Sequence, residues 1–273
     1  MSRSDLPFPV SAVILAGGRA TRMGGDDKGW VPLAGKPLIV HVLERLRPQV
    51  DEVLINANRS EDRYRQLASV IGDEQADFQG PLAGMQAGLA AARHDWVLCL
   101  DADERVSPAL RAAIESALTQ PAHGAYRFAR CNRFLGRYLK HGEGYPDWSL
   151  RLFDRRQAGW SDDAVHEKVV ATGSIGRLAG DLLHDSAESL ATYLNKQNRY
   201  TSLAADMALA AGKRASFSRL ALSPIVRFIK FYVVRQGFRD GLPGLIHIAI
   251  GCMNSFLKYA KMLERQNTDA ALR

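Results

Sequence analysis

Apolar positions come in short branched runs in the first part of the chain and in long, helically spaced stretches after residue 189. Residues 10–16 form a run rich in branched side chains, the pattern of a buried strand in a parallel sheet, and Gly17-Gly18 ends it. Residues 38–46 have helical spacing and 51–56 predict a second strand. Ser60 predicts a capped helix reaching residue 68, with Glu61 and Asp62 favourable in its first turn. Residues 69–71 predict a third strand, 82–93 a helix of small residues, and 96–100 a fourth strand ending in Asp101-Ala102-Asp103. Ser107 and Pro108 read as N-cap and first position of a helix to residue 119. Strand and helix thus alternate to about residue 120. That implies an α/β fold with a mainly parallel sheet and flanking helices, whose ligands bind outside the carboxyl ends of the strands. The glycine turn, Asn56, Asp73 and Asp103 all fall at or just after such ends and are expected to share one crevice.

The texture changes after residue 125. Residues 125–180 are rich in Arg, Trp, Tyr and Gly, with strand-like runs at 149–153 and 165–170. From 189 onward the pattern is helical, with one basic amphipathic helix at 216–236 and another helix at 243–265. The basic helix puts Arg219, Arg227 and Lys230 roughly on one face. It suits either packing on the final helix or lying on the inner face of a membrane. No internal repeat and no low-complexity linker appears.

Composition narrows the classes. With 273 residues and 47% hydrophobic content the chain can bury a full core. The net charge of +7 and pI near 9.4 favour anionic partners. Nucleic acid is not expected, because no recognised module accompanies the charge. The three cysteines, Cys99, Cys131 and Cys252, are far apart and form no CxxC pair, which excludes a zinc knuckle or disulfide framework and suits a reducing cytoplasm. No signal peptide and no membrane span is expected.

The chemistry begins at the glycine turn. Leu15-Ala16-Gly17-Gly18 is followed by Arg19, Arg22 and Lys28. Glycines let backbone N–H groups approach phosphates, and Arg22 and Lys28 can neutralise triphosphate charge. No Gly-Lys-Ser/Thr follows, so this is not a P-loop. The words LAGGRATRMGGDDK, PLAGKPL, LINANR, VIGD and GPLAGMQAGL resemble molybdenum cofactor guanylyltransferases and their sugar-nucleotidyltransferase relatives over residues 10–93. The resemblance implies that Leu15, Ala16, Gly17, Gly18, Lys28, Asn56, Asp73 and Asp101 bind a guanine nucleotide. Arg22 matches the signature arginine and joins Lys28 in catalysis, the chemistry being transfer of GMP from GTP to a phosphate acceptor.

Asp101 and Asp103 close a buried strand, where a carboxylate can hold Mg²⁺ or Mn²⁺ against a diphosphate; a plain loop acid is the competing reading. By position Asp103 falls on the metal-binding aspartate of the guanylyltransferases. The words around it, LDADERVSPALRAAI, NRFLGRYLKHG, YPDWSLRLFDR, VHEKV, GDLLHDS, YLNKQNRYTSLAA and FLKYAKMLE, instead resemble inverting family-two glycosyltransferases of the lipopolysaccharide-core type, over residues 94–264. That resemblance implies Asp147 as the general base. His166 would be a third metal ligand or hold pyrophosphate, unless it is a structural histidine; His184 and Asp185 are weaker candidates. Arg130, Arg133, Arg137, Lys140 and Arg151 form a basic stretch suited to a phosphorylated acceptor or to a solvated face.

The chain therefore resembles a fusion within one GT-A-like, Rossmann-like fold. Residues 1–100 form the nucleotide half, 101–185 the metal and acceptor half, and 186–273 a helical appendage. The leading expectation is a cytoplasmic, metal-dependent glycosyltransferase, peripheral on the inner membrane, using a guanine-type nucleotide sugar and a glycolipid acceptor. The alternatives are GMP transfer from GTP to molybdopterin or a sugar phosphate, and a chimera that binds nucleotide without turnover.

Overall fold

In the computed structural model, residues 9–16, 18, 26–73, 81–161, 168–185 and 189–271 are described; Gly17, Arg22 and His166 lie outside them. In chain order the elements begin with β1 (Ser11–Leu15), the short β2 (Pro32–Leu33) and β3 (Lys36–Pro37), and α1 (Leu38–Leu46). Next come β4 (Glu52–Asn56), α2 (Glu61–Arg65), β5 (Ser69–Ile71), α3 (Pro81–Ala91) and β6 (Trp96–Leu98). Then follow β7 (Glu104–Val106), α4 (Pro108–Thr119), β8 (Ala125–Phe134), β9 (Arg137–Tyr138), β10 (Asp147–Asp154), β11 (Ala158–Trp160), β12 (Val169–Ala171) and β13 (Ile175–His184). The chain closes with α5 (Leu190–Ala210), α6 (Phe217–Phe228) and α7 (Gly241–Ala271).

Two units divide these elements. The first holds Met1–Cys99, Ile114–Arg127 and Leu150–Arg177; the second holds Leu100–Ala113, Phe128–Ser149 and Leu178–Arg273. The fold is α/β, with a Rossmann-like parallel ladder in the first unit and a helical C-terminal region in the second.

The ladder has the order β1–β4–β5, with Leu15 opposite Asn56 and Asn56 opposite Ile71. Ile39 and Leu43 of α1, one helical turn apart, pack with Ile55, Ala57 and Tyr64 into its core. Burial of each of the aliphatic side chains Ile39, Leu43 and Ile55 stabilises by about 1.5–3 kcal/mol. Helix α2 is shorter than the predicted 60–68. Ser60 precedes it at φ 52°, in the left-handed region, and makes no side-chain cap; capping needs an extended backbone that aims the hydroxyl at the first turn. The small residues of α3 have a packing reason. A Cβ at Gly84 would collide with Asn56 Oδ1, and one at Gly88 with Val13, so α3 lies unusually close to β1 and β4.

The predicted fourth strand behaves differently from the other three. β6 runs antiparallel to β10, with Leu98 opposite Leu152. Phe153 of β10 packs with Ala125, Ala158, Val97 and Cys99, and that apolar cluster is what holds β6 there. The predicted run at 165–170 is represented by β12, which pairs antiparallel with β11; residues 165–167 lie outside the described residues.

In the second unit β7 pairs antiparallel with β13, Val106 opposite Leu182. β8 and β9 form a hairpin whose turn residues Leu135 and Gly136 both have positive φ, 46° and 83°, as two-residue hairpins require. Ser107 caps α4 as expected: its hydroxyl accepts from Leu110 N at 3.3 Å, and it also accepts from Asp181 N at 3.1 Å. The helix predicted over 216–236 is α6 followed by a π turn at Ile229–Val234. Lys261 on α7 donates to Asn198 O, Thr201 Oγ1 and Ser202 Oγ on α5, at 2.8–2.9 Å. Among the described residues no helix is long and apolar enough to cross a membrane.

Candidate functional site

The first unit gathers a polar set where the parallel strands end. Ala16 N donates to Asn56 O at 2.8 Å, holding the exit of β1 against the last residue of β4. Asn56, almost fully buried, donates from Nδ2 to Asp73 Oδ1 at 2.9 Å. Asn58 Nδ2 donates to the other oxygen of Asp73 at 2.5 Å, and Asp73 N donates back to Asn58 Oδ1 at 2.9 Å. Leu15 stays 40% exposed beside this set. Leu15, Ala16, Asn56 and Asp73 therefore lie together at the end of the ladder. Asn58 was not singled out, although it stands in the same LINANR word. Gly18 has nothing within 4 Å of where a Cβ would stand, so packing does not demand a glycine there.

Lys28 opens a one-turn 3₁₀ helix and is exposed. Its turn is anchored from below. Tyr64 OH donates to Asp27 Oδ1 at 2.6 Å, and Gly29 N donates to the same oxygen at 3.2 Å. Burial, together with the Asp27 carboxylate, pushes the Tyr64 phenol far above its ordinary range. Trp30 packs on Tyr64 with ring centroids 5.1 Å apart, and the Arg63 guanidinium sits 3.9 Å over the Trp30 ring. The ammonium of Lys28 is thus presented from a rigid base.

The second unit gathers the acids. Glu104, whose side chain is fully buried, pairs with Arg130 Nε at 2.6 Å and accepts from Asp101 N at 2.9 Å. Arg130 also lies 3.8 Å from Asp101 Oδ2 and 3.9 Å from Asp147 Oδ2. One guanidinium therefore links the two predicted acids, Asp101 and Asp147. Asp103 Oδ2 lies 3.2 Å from His184 Nε2, and His184 Nδ1 lies 2.8 Å from Asn132 Oδ1. The ring is held from both sides, and His184, the weaker candidate, stands at Asp103; His166 lies outside the described residues. Asp185 N donates to Asp103 O at 2.8 Å. The Asp185 carboxylate accepts from Tyr138 OH at 2.7 Å, and that bond, with Arg105 and Arg133 nearby, keeps its carboxyl below the usual range. The roles of Glu104 and Asn132 carried no sequence signal.

Among the described residues no group of three or more His, Cys, Asp and Glu forms a ready-made metal cage. The donor chemistry nonetheless fits Mg²⁺ or Mn²⁺. Asp101 and Asp103 each keep about half their side-chain surface exposed, 47% and 51%. Mg²⁺ commonly takes one or two carboxylates and completes its shell with water and substrate phosphates.

A parallel ladder with a polar set at its carboxyl end, followed by a helix brought close by glycine, is where open α/β folds bind their ligands. Residues 12–141 match the family model of the MobA-like NTP transferase domain. That match runs past residue 93, where the guanylyltransferase-like words stop, and takes in Asp101 and Asp103. The molybdenum cofactor guanylyltransferase of Burkholderia ambifaria (strain MC40-6) is 52% identical over 124 residues, 43% of this chain and 60% of that one. The molybdenum cofactor guanylyltransferase of Shewanella putrefaciens (strain CN-32 / ATCC BAA-453) is 51% identical over 104 residues, 38% of this chain and 53% of that one. The chain thus spans little more than half the length of these curated relatives. A solved structure, molybdopterin-guanine dinucleotide biosynthesis protein A from Archaeoglobus fulgidus, aligns at TM-score 0.34 and 22% identity over 54% of this chain and 68% of that one. The family match and the two curated relatives favour the nucleotidyltransferase alternative over the glycosyl transfer that the sequence favoured, and they give the glycolipid acceptor no support.

Proposed function

We propose that this chain binds GTP through its first unit and transfers GMP to a phosphorylated acceptor, the molybdenum cofactor being the one named for its relatives. An acceptor phosphate oxygen attacks the α-phosphorus of GTP. A new P–O bond forms as the bond to the β-phosphate bridge breaks, and pyrophosphate leaves. Lys28, on its anchored turn, offsets triphosphate charge. Leu15, Ala16, Gly18, Asn56 and Asp73 form the nucleotide contact set, and Gly17, Arg22 and Asp101 join it by motif. Asp103 is the first ligand for Mg²⁺ or Mn²⁺, with His166 assigned by motif alone; the bound ion would offset charge on the phosphates.

The observation that carries this reading is the set Leu15–Asn56–Asp73 at the end of the parallel ladder, within the segment that matches the family model. Calorimetric titration with GTP, GDP-mannose and UDP-glucose in Mg²⁺ tests it, followed by transfer of labelled GMP to molybdopterin. Tighter binding of the uridine donor would overturn it, and guanine binding without turnover would favour the inactive chimera.

Glycosyl transfer with Asp147 as base is the second reading. It is kept by one observation: Asp147 is half-exposed, and Arg130 links it to Asp101. On that reading the donor is a guanine nucleotide sugar, and the uridine result above counts against it too.

A further inference from the structure

We propose that the surface built from residues 213–242 docks on an anionic lipid bilayer. No residue of α6 is buried. Large apolar side chains stand out from this segment along its whole length: Phe217 is 79% exposed, Val226 61%, Val234 70% and Leu242 67%. Soluble proteins seldom expose so continuous an apolar patch without a partner for it.

The charge on the same segment selects the partner. Seven Lys and Arg, and no Asp or Glu, lie between residues 213 and 239. The first acid, Asp240, is buried and turned inward, accepting from Lys140 N and His141 N at 2.9 and 2.7 Å. An open groove of about 560 Å³ runs along α6, lined in part by Arg219, Leu222, Val226, Arg227, Lys230 and Phe231. Arg227 is tied to Glu143 and Ser255, so Arg219 and Lys230 are the exposed cations that flank the apolar channel. Phe228 stacks on Tyr232 at 4.9 Å, and Tyr232 meets Phe238 edge-on at 6.1 Å, and aromatics of this kind favour the headgroup level. Apolar residues bordered by cations are what an interfacial helix needs. A second copy of the chain would set cations against cations, and an acidic protein would satisfy the charge but leave the apolar residues without a dry partner. Since no described helix is long and apolar enough to span a membrane, the segment lies on the bilayer. This inference is independent of the nucleotide chemistry.

Co-sedimentation of the full chain with vesicles tests it, comparing phosphatidylcholine alone with phosphatidylcholine holding about 30 mol% phosphatidylglycerol. We expect partition to the anionic vesicles that weakens with added salt. Arg219→Gln with Lys230→Gln is expected to reduce it about tenfold or more, and Ile225→Asp with Val226→Asp to do the same. All four positions are exposed or line the open groove, so circular dichroism and GTP affinity should stay unchanged and confirm the fold. Equal partition to neutral and anionic vesicles, no partition, or full binding by both double variants would overturn the proposal. So would a dimer in sedimentation velocity that Ile225→Asp dissociates, or equal binding to soluble polyaspartate.

Discussion

Asn56 Nδ2 donates to Asp73 Oδ1 at 2.9 Å, tying the last residue of β4 to the segment that leaves β5. Asp73 accepts from Asn58 as well, so one carboxylate orders the polar end of the ladder. Asp73→Ala leaves two side-chain amides without their acceptor. It should cost about 1–3 kcal/mol of stability, read by urea unfolding, and GTP affinity should fall with it. Unchanged affinity in a folded variant would remove Asp73 from the nucleotide contacts.

Gly84→Ala tests the same corner from the helix side. The added methyl would press on Asn56 Oδ1 and approach Leu15 Cδ2 at 3.2 Å. Overpacking of this kind costs about 1–3 kcal/mol, and the strain falls on two residues of the proposed nucleotide set. Calorimetry should show GTP binding weakened at least as much as stability.

Lys28→Ala should weaken GTP binding by about 1.5–3 kcal/mol, the scale of a charged hydrogen bond. The melting temperature should hold, because Lys28 is exposed. Tyr64→Phe gives the complementary result: it removes the bond to Asp27 beneath the turn and should lower stability by about 1 kcal/mol.

Some of this was legible in the sequence because the signals are local. The branched run of β1, the one-turn spacing of Ile39 and Leu43, and Ser107-Pro108 at the start of α4 each declare themselves within a few residues. The partner of β6 does not. Its place beside β10 depends on Phe153, far along the chain, and alternation within 96–100 cannot name it. Glu104 is a similar case: beside Asp101 and Asp103 it reads as another surface acid, and its burial is sustained only when β8 supplies Arg130. Ser60 shows the opposite failure, a strong local cap signal overridden by a left-handed backbone.

Asp103→Asn and Asp147→Asn separate the two readings. On nucleotidyl transfer, Asp103→Asn should abolish metal-stimulated GMP transfer while Asp147→Asn leaves it within a few-fold. On glycosyl transfer, loss of a general base costs about 10²–10⁴-fold, so Asp147→Asn alone would be crippling. Single-turnover assays with labelled nucleotide decide between them.

Arg156 holds the Asp154 carboxyl below its usual 3.8, chiefly by hydrogen bonding, against the opposing effect of burial. A carboxyl with a depressed folded-state pKa contributes stability that is complete above the unfolded value and is lost as pH falls through the folded one. Arg156→Ala removes the largest cause of that depression, so acid unfolding followed by circular dichroism should begin at higher pH. An unchanged acid midpoint would show the pair to be neutral in energy.

The strands β8, β10 and β13 each carry residues of both units, and neither unit is a single stretch of chain. A gene truncated after codon 99 would therefore yield a fragment with Val97 and Cys99 stripped of Ala125, Phe153 and Ala158. Such a fragment would expose apolar surface and tend to aggregate. The point near residue 99 is therefore not one at which the molecule can be cut.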